Sequence, residues 1–170
     1  MSFQSRPFAM FKFVKKFTKL EKWFAILFIA SIGAGVVYGL VDPSYYLCCE
    51  EYLGVPKEGS SPIEIFSNNY FLGLIEMFTA GLFGIYLNFH TFSTASSYLY
   101  TNGQLIGLPI LVVIGFLELA GSLLLGLVGI SFVERTLLKI KSKLDWKQLF
   151  FLATILIFLG AIIEYFLITI

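Results

Sequence analysis

Residues 89–109 read FHTFSTASSYLYTNGQLIGLP, and the number of membrane crossings turns on them. The segment has no Lys, Arg, Asp or Glu, but it is crowded with Ser, Thr and Tyr hydroxyls. Hydropathy alone marks it as a loop. Apolar runs flank it, 69–88 before it and 110–132 after it, and the only charged residue of the second run is Glu118. Further out lie two more apolar runs, 23–41 and 149–168. At ~1.5 Å per residue, a helix over 23–41 extends ~28 Å, enough to span hydrocarbon roughly 30 Å thick.

Composition removes the soluble alternatives. Of the 170 residues, 58% are hydrophobic and 14% charged, whereas soluble domains carry about 25% charged residues. The chain is expected to be an all-α, polytopic transmembrane helix bundle forming a single domain over 23–170. A first apolar run of that length behind a basic arm is read as an uncleaved anchor rather than a removable signal peptide. The net charge of +1 gives no field suited to nucleic acid.

The placement of charge decides the ambiguous stretch. Arg6, Lys12, Lys15, Lys16, Lys19 and Lys22 precede the first run; Arg135, Lys139, Lys141, Lys143 and Lys147 follow the fourth. The loop between the first two runs holds Asp42, Glu50, Glu51, Glu58 and Glu64 against the single Lys57. If 89–109 were a loop, the two basic segments would lie on opposite faces, against the tendency for Lys and Arg to stay inside. If it crosses, both are cytoplasmic. The reading is therefore about five crossings, over 23–41, 69–88, 89–109, 110–132 and 149–168. The N-terminus is then cytoplasmic and the C-terminus extracellular, in the plasma membrane. The third crossing is expected to be polar, broken or bent at Asn102-Gly103 and shielded in mid-bundle, because lipid cannot satisfy its polar groups; an irregular or partly re-entrant crossing fits equally.

Two basic segments look interfacial. Phe8, Phe11, Phe17 and Leu20 recur among lysines within 1–22, as do Val133, Leu137, Ile140 and Leu144 within 133–148. Both suit amphipathic helices lying among anionic headgroups, or a docking face for a cytosolic partner. Ser31, Gly35 and Gly39 form a small-residue stripe, and Gly81 and Gly84 another; such stripes let helices pack closely. They suggest a homodimer.

An ordered set of residues adds a resemblance. Asn68-Asn69 precedes the second run, then come Gly81-x-x-Gly84, Asn102-Gly103-x-x-x-Gly107, Gly115-Phe116-Leu117-Glu118 and Ile163-Glu164-Tyr165. This resembles the stage II sporulation protein M family of bacterial and archaeal polytopic membrane proteins, over about 68–170. That family often places His before the glycine where this chain has Ile114. The resemblance implies a non-enzymatic scaffold or assembly factor that recruits partners at the membrane.

Chemistry within the spans rests on carboxyls. Glu76, Glu118 and Glu164 fall inside apolar runs that contain no Lys or Arg. An unpaired buried carboxylate is costly, so each is expected to be neutral, hydrated or near an interface. With Asn102, Gly103 and Gly115 they form a candidate intramembrane polar cluster, and Glu118 is expected to bond structurally. Glu76 has Asn102, Tyr98 and His90 as possible partners. These groups also motivate an alternative: a transporter or permease subunit with a polar path, coupled to a separate ATPase. An intramembrane hydrolase built on His90 and Ser93, Ser96 or Ser97 lacks any visible oxyanion hole. Adjacent Cys48 and Cys49 have neither zinc-ligand spacing nor the geometry for an easy cross-link. No catalytic, metal or cofactor site is expected.

Overall fold

The computed structural model describes residues 17–45, 61–104 and 107–169, with side chains of 107–114 and 167–169 excepted. All regular structure among them is helical: α1 (Lys19–Val41), α2 (Pro62–Phe78), α3 (Leu82–Thr101), α4 (Gly107–Thr136) and α5 (Trp146–Thr169). Three of these, α1, α4 from Gly115 and α5 to Phe166, are long and apolar enough to cross a membrane. That is fewer than the five expected. Helix α2 has only 17 residues, and α3, with 20, is diluted by its hydroxyls.

Local sequence fixes the helix ends. Thr18 caps α1 in a reciprocal box with Glu21, and Ser61 does the same for α2 with Glu64, Pro62 following at the first helical position. The expected boundary at 88/89 is displaced to Thr79-Ala80-Gly81. Ala80 and Gly81 take positive φ, 49° and 81°, and Gly81 N–H reaches back to Glu76 C=O at 2.8 Å, closing α2 as a Schellman turn. Asn102-Gly103 closes α3 in the same way, with Gln104 N–H on Leu99 C=O at 2.7 Å. The polar stretch is thus a regular helix ended by its Asn-Gly, not an irregular one.

The polarity of α3 is shielded as expected, and α1 does most of the shielding. Asn88, Ser93, Thr94, Ser96 and Ser97 are buried. Ser93 and Thr94 donate to carbonyls one turn back, at 2.7 and 3.0 Å, a bond that lets hydroxyls sit inside apolar helices. Ser97 donates across to Pro43 C=O at 2.7 Å. Helices α1 and α3 run parallel and touch backbone to backbone. A Cβ on Gly35 would stand 2.6 Å from Phe89 O, and one on Gly39 would collide with Ser93 O. The stripe Ser31, Gly35, Gly39 is therefore consumed inside the chain and does not supply the homodimer face expected of it. Gly81 likewise receives the Phe24 ring, and Gly84 the Glu76 carboxyl.

The second packed group is α2, α4 and α5. Gly73 admits Leu125, Gly129 admits the Met77 carbonyl, and Gly121 lies against Ala153 and Ile157. Phe66 meets Phe158 at 5.5 Å and Tyr70 meets Phe150 at 6.3 Å between ring centroids. These pairings make α2 and α4 parallel and α5 antiparallel to both. Helices α1, α3 and α5 thus point one way, α2 and α4 the other.

The two basic segments meet at one end. Thr18 and Glu21, starting α1, bond Glu134 and Ser142 at 2.6 and 2.7 Å. The expected helix over 133–148 is not formed. Helix α4 stops at Thr136, Lys139 takes φ 57°, and 137–145 is a non-helical strap. Arg135 draws it back by donating to Leu144 C=O at 2.7 Å, and the Leu144 side chain is buried. Most of the expected N-terminal amphipathic helix, and Cys48 and Cys49, lie outside the described residues; Lys19 to Lys22 belong to α1 itself.

The α1–α3 contact predicts a sharp positional contrast. Gly39→Ala should lower stability by ~1–3 kcal/mol, the usual cost of overpacking. Gly33→Ala, where an added Cβ meets nothing within 4 Å, should be neutral. Equilibrium unfolding in mixed micelles reads both, and equal effects would refute the close backbone contact.

Candidate intramembrane carboxyl site

Helix α4 presents Glu118, Ser122 and Gly126 at four-residue intervals, hence along one face. From Glu118 to Gly126 the axis rises ~12 Å. Parallel to it, α2 offers Asn69, Gly73 and Glu76, also on one face. The two faces meet in register. Asn69 Nδ2 donates to Glu118 Oε1 at 2.6 Å, and the Ser122 hydroxyl donates to Glu76 Oε2. Helix α5 completes the upper level. Gly160 makes room for the Glu118 side chain, and Glu164, one turn further along α5, stands beside Glu118.

The lower level is drier. Glu76 is 1% exposed. Its Oε1 points into space left by Gly84 and Gly126, beside Phe24, and meets no donor. No Lys or Arg occurs in 62–134 to serve as counter-ion. The Glu76 carboxyl therefore has one hydroxyl donor, one vacant acceptor and apolar walls, an arrangement suited to an acid that holds its own proton. Asn88 Nδ2, Ser96 Oγ and Ser131 Oγ are also buried without partners, so the unsatisfied polar atoms follow the bundle interior rather than one spot.

The candidate residues divide. Glu118 and Glu164 come together, and Glu76 sits about one turn along from them. Glu164 stands beside Glu118 rather than alone near an interface, and the structural partner of Glu118 is a side-chain amide. Asn102 and Gly103 are not in the cluster: Asn102 Nδ2 donates to Tyr98 C=O at 2.9 Å within its own helix end. None of the partners anticipated for Glu76 reaches it, because the turn at 79–81 sends α3 away towards α1. Gly115 makes only ordinary contact, with Leu119 at 3.7 Å. His90 is engaged by Tyr45, whose OH lies 2.5 Å from Nδ1, while the Ser93 and Ser97 hydroxyls are spent on carbonyls. Asn69 and Ser122 were not singled out by sequence as members. The readable signals were Ser122 four residues after Glu118 and Asn69 seven before Glu76.

Among the described residues no group of three or more His, Cys, Asp or Glu could hold a metal ion. Compared with protein-family models, curated proteins and solved structures, the chain has no match in any of the three.

The Asn69–Glu118 bond should behave as one coupled unit. Asn69→Leu and Glu118→Leu should each destabilise the bundle, and a double-mutant cycle should return a coupling of about 0.5–3 kcal/mol, the range for contacting residues. Strict additivity in unfolding experiments would remove the bond from the site.

Proposed function

We propose that this chain is a membrane transport component that passes protons between the Glu76–Ser122 level and the Asn69–Glu118–Glu164 level of its bundle. One observation carries the reading: carboxyls stacked along one face of α4, about one turn apart, with hydroxyl and amide donors but no cation. Ionisable side chains are expensive in hydrocarbon, and where they persist they commonly mark proton or ion routes. Glu118 and Glu164, two neighbouring carboxyls, can share one proton at the upper level, and the open oxygen of Glu76 gives the lower level a place to receive one. The chain then crosses five times, α2 and α3 being shielded by their neighbours. The basic end faces the cytoplasm, where the excess of Lys and Arg belongs. A separate ATPase is a fitting partner for such a subunit, and its docking face is the basic end.

A scaffold role, as the resemblance to stage II sporulation protein M implies, is the second reading. It is favoured by exposed Leu137, Leu138 and Ile140 alternating with lysines in the strap, a surface able to hold a cytosolic protein. Photo-cross-linking from Lys141 in cells separates the two readings, because a scaffold yields a reproducible protein adduct there.

Proton passage is testable with the chain alone. In liposomes carrying an internal pH dye, an imposed potential should drive acidification by the wild type. Glu76→Gln and Glu118→Gln, which keep shape and bonding, should slow it by about tenfold or more, in line with losing a proton-transfer group. Dicyclohexylcarbodiimide, an apolar reagent for protonated carboxyls, should label Glu76. Flux unchanged in both variants would end the proposal.

A further inference from the structure

A second carboxyl pair lies outside the α4 column, where three segments converge at the basic end. Glu21, from the first turn of α1, and Glu134, from the last turn of α4, are both fully buried. Glu21 Oε2 accepts the Thr18 backbone N–H at 2.8 Å, and its Oε1 accepts the Ser142 hydroxyl at 2.7 Å. Glu134 Oε1 accepts the Thr18 hydroxyl at 2.6 Å. Glu134 Oε2 has no donor, and Thr18 binds both carboxyls, its N–H on Glu21 and its hydroxyl on Glu134, which holds the two side by side.

Among the described residues no positive group neutralises the pair. Arg135 is the adjacent cation, but its Nη2 is turned onto the carbonyls of Leu144 and Ser142, at 2.7 and 3.4 Å. Lys19, Lys22, Lys139, Lys141 and Lys143 are exposed. Asp145 accepts from Lys147 N–H at 3.1 Å. The two ends of the pair are electrically unlike. Glu21 caps the start of a helix, where the backbone dipole favours negative charge. Glu134 sits at the end of one, where it does not. The proton therefore belongs on Glu134.

We propose that Glu21 and Glu134 form a proton-binding site that latches the strap to the start of α1. A proton on Glu134 Oε2 donates to Glu21 and completes the donor set around both carboxyls. Ser142, bonded to Glu21, ties the strap to that set. When the proton leaves to water, two carboxylates remain side by side with no cation among the described residues, and their repulsion drives Glu134 and the strap away from Glu21, breaking the Ser142–Glu21 bond. The strap is then held only through Arg135 and Leu144, and its lysines swing free. The latch is closed at low pH and opens as pH rises. It does not require proton passage along α4, since Glu134 lies ~12 Å further down that helix than Gly126.

The test uses the full chain in nanodiscs, with Cys48 and Cys49 changed to Ser and a nitroxide attached through Lys141→Cys. Between about pH 5 and about pH 9, a range that covers carboxyl titration, the immobile fraction of the spectrum should fall several-fold in the wild-type background. Glu134→Gln supplies a permanent N–H donor to Glu21 and should keep the strap immobile throughout. Glu21→Gln removes the repulsion and should also flatten the pH response, which covers the case in which Glu134→Gln does not fold. Ser142→Ala should be mobile at every pH. A wild-type spectrum that ignores pH, or a response persisting in both Gln variants, overturns the latch. So does immobilisation at high pH by added calcium or magnesium, which would assign the site to a metal cation. Liposome flux in the same variants distinguishes this failure from failure of the α4 path.

Discussion

Hydrocarbon offers no hydrogen bond, so each polar group carried into the bilayer must be satisfied by the chain itself. The architecture of this bundle follows from that constraint. Helix α3 carries more hydroxyls than lipid tolerates, and it lies against the glycine stripe of α1, close enough for Ser97 to reach the Pro43 carbonyl. The close approach depends on what is missing at Gly35 and Gly39. Small residues on one helix and hydroxyls on its neighbour are thus two halves of one device. Van der Waals contact and internal bonding replace the hydrophobic drive that is absent between helices in lipid.

The carboxyls follow the same logic with a different outcome. Each is given a neutral donor: Asn69 for Glu118, Ser122 for Glu76, Thr18 for Glu134 and Ser142 for Glu21. Among the described residues none is given a cation. Lys and Arg would have neutralised the charge permanently; hydroxyls and amides leave room for a proton to come and go. Glycines again provide the space, Gly160 beside Glu118 and Gly84 and Gly126 around Glu76. The interior holds its acids among neutral partners.

The sequence made the helical class and the shared end of the basic segments legible, because both rest on composition and on charge placement. It also announced Glu76, Glu118 and Glu164, since a Glu in an apolar run is costly unless it is bonded, hydrated or neutral. It misplaced the second boundary because Thr79-Ala80-Gly81 is no more polar than its surroundings, and a turn held by positive φ leaves little mark on hydropathy. It suggested a helix across the strap because Val133, Leu137, Ile140 and Leu144 keep helical spacing, yet only Leu144 is drawn fully into the core. It could not pair Asn69 with Glu118, or Glu21 with Glu134. Those pairs join residues far apart in the chain, and only the packing of α2 and α1 against α4 brings them together.

The turn at Thr79–Gly81 has a mechanical consequence. It divides the molecule into two blocks, α1 with α3 and α2 with α4 and α5, because α2 and α3 leave the turn towards different neighbours. The blocks are stapled at one end by this turn and by the Thr18–Glu134 and Ser142–Glu21 bonds. The Glu76 carboxyl fills the seam beside that turn, between Gly84 of one block and Gly126 of the other, so a methyl added at either glycine would pry the blocks apart.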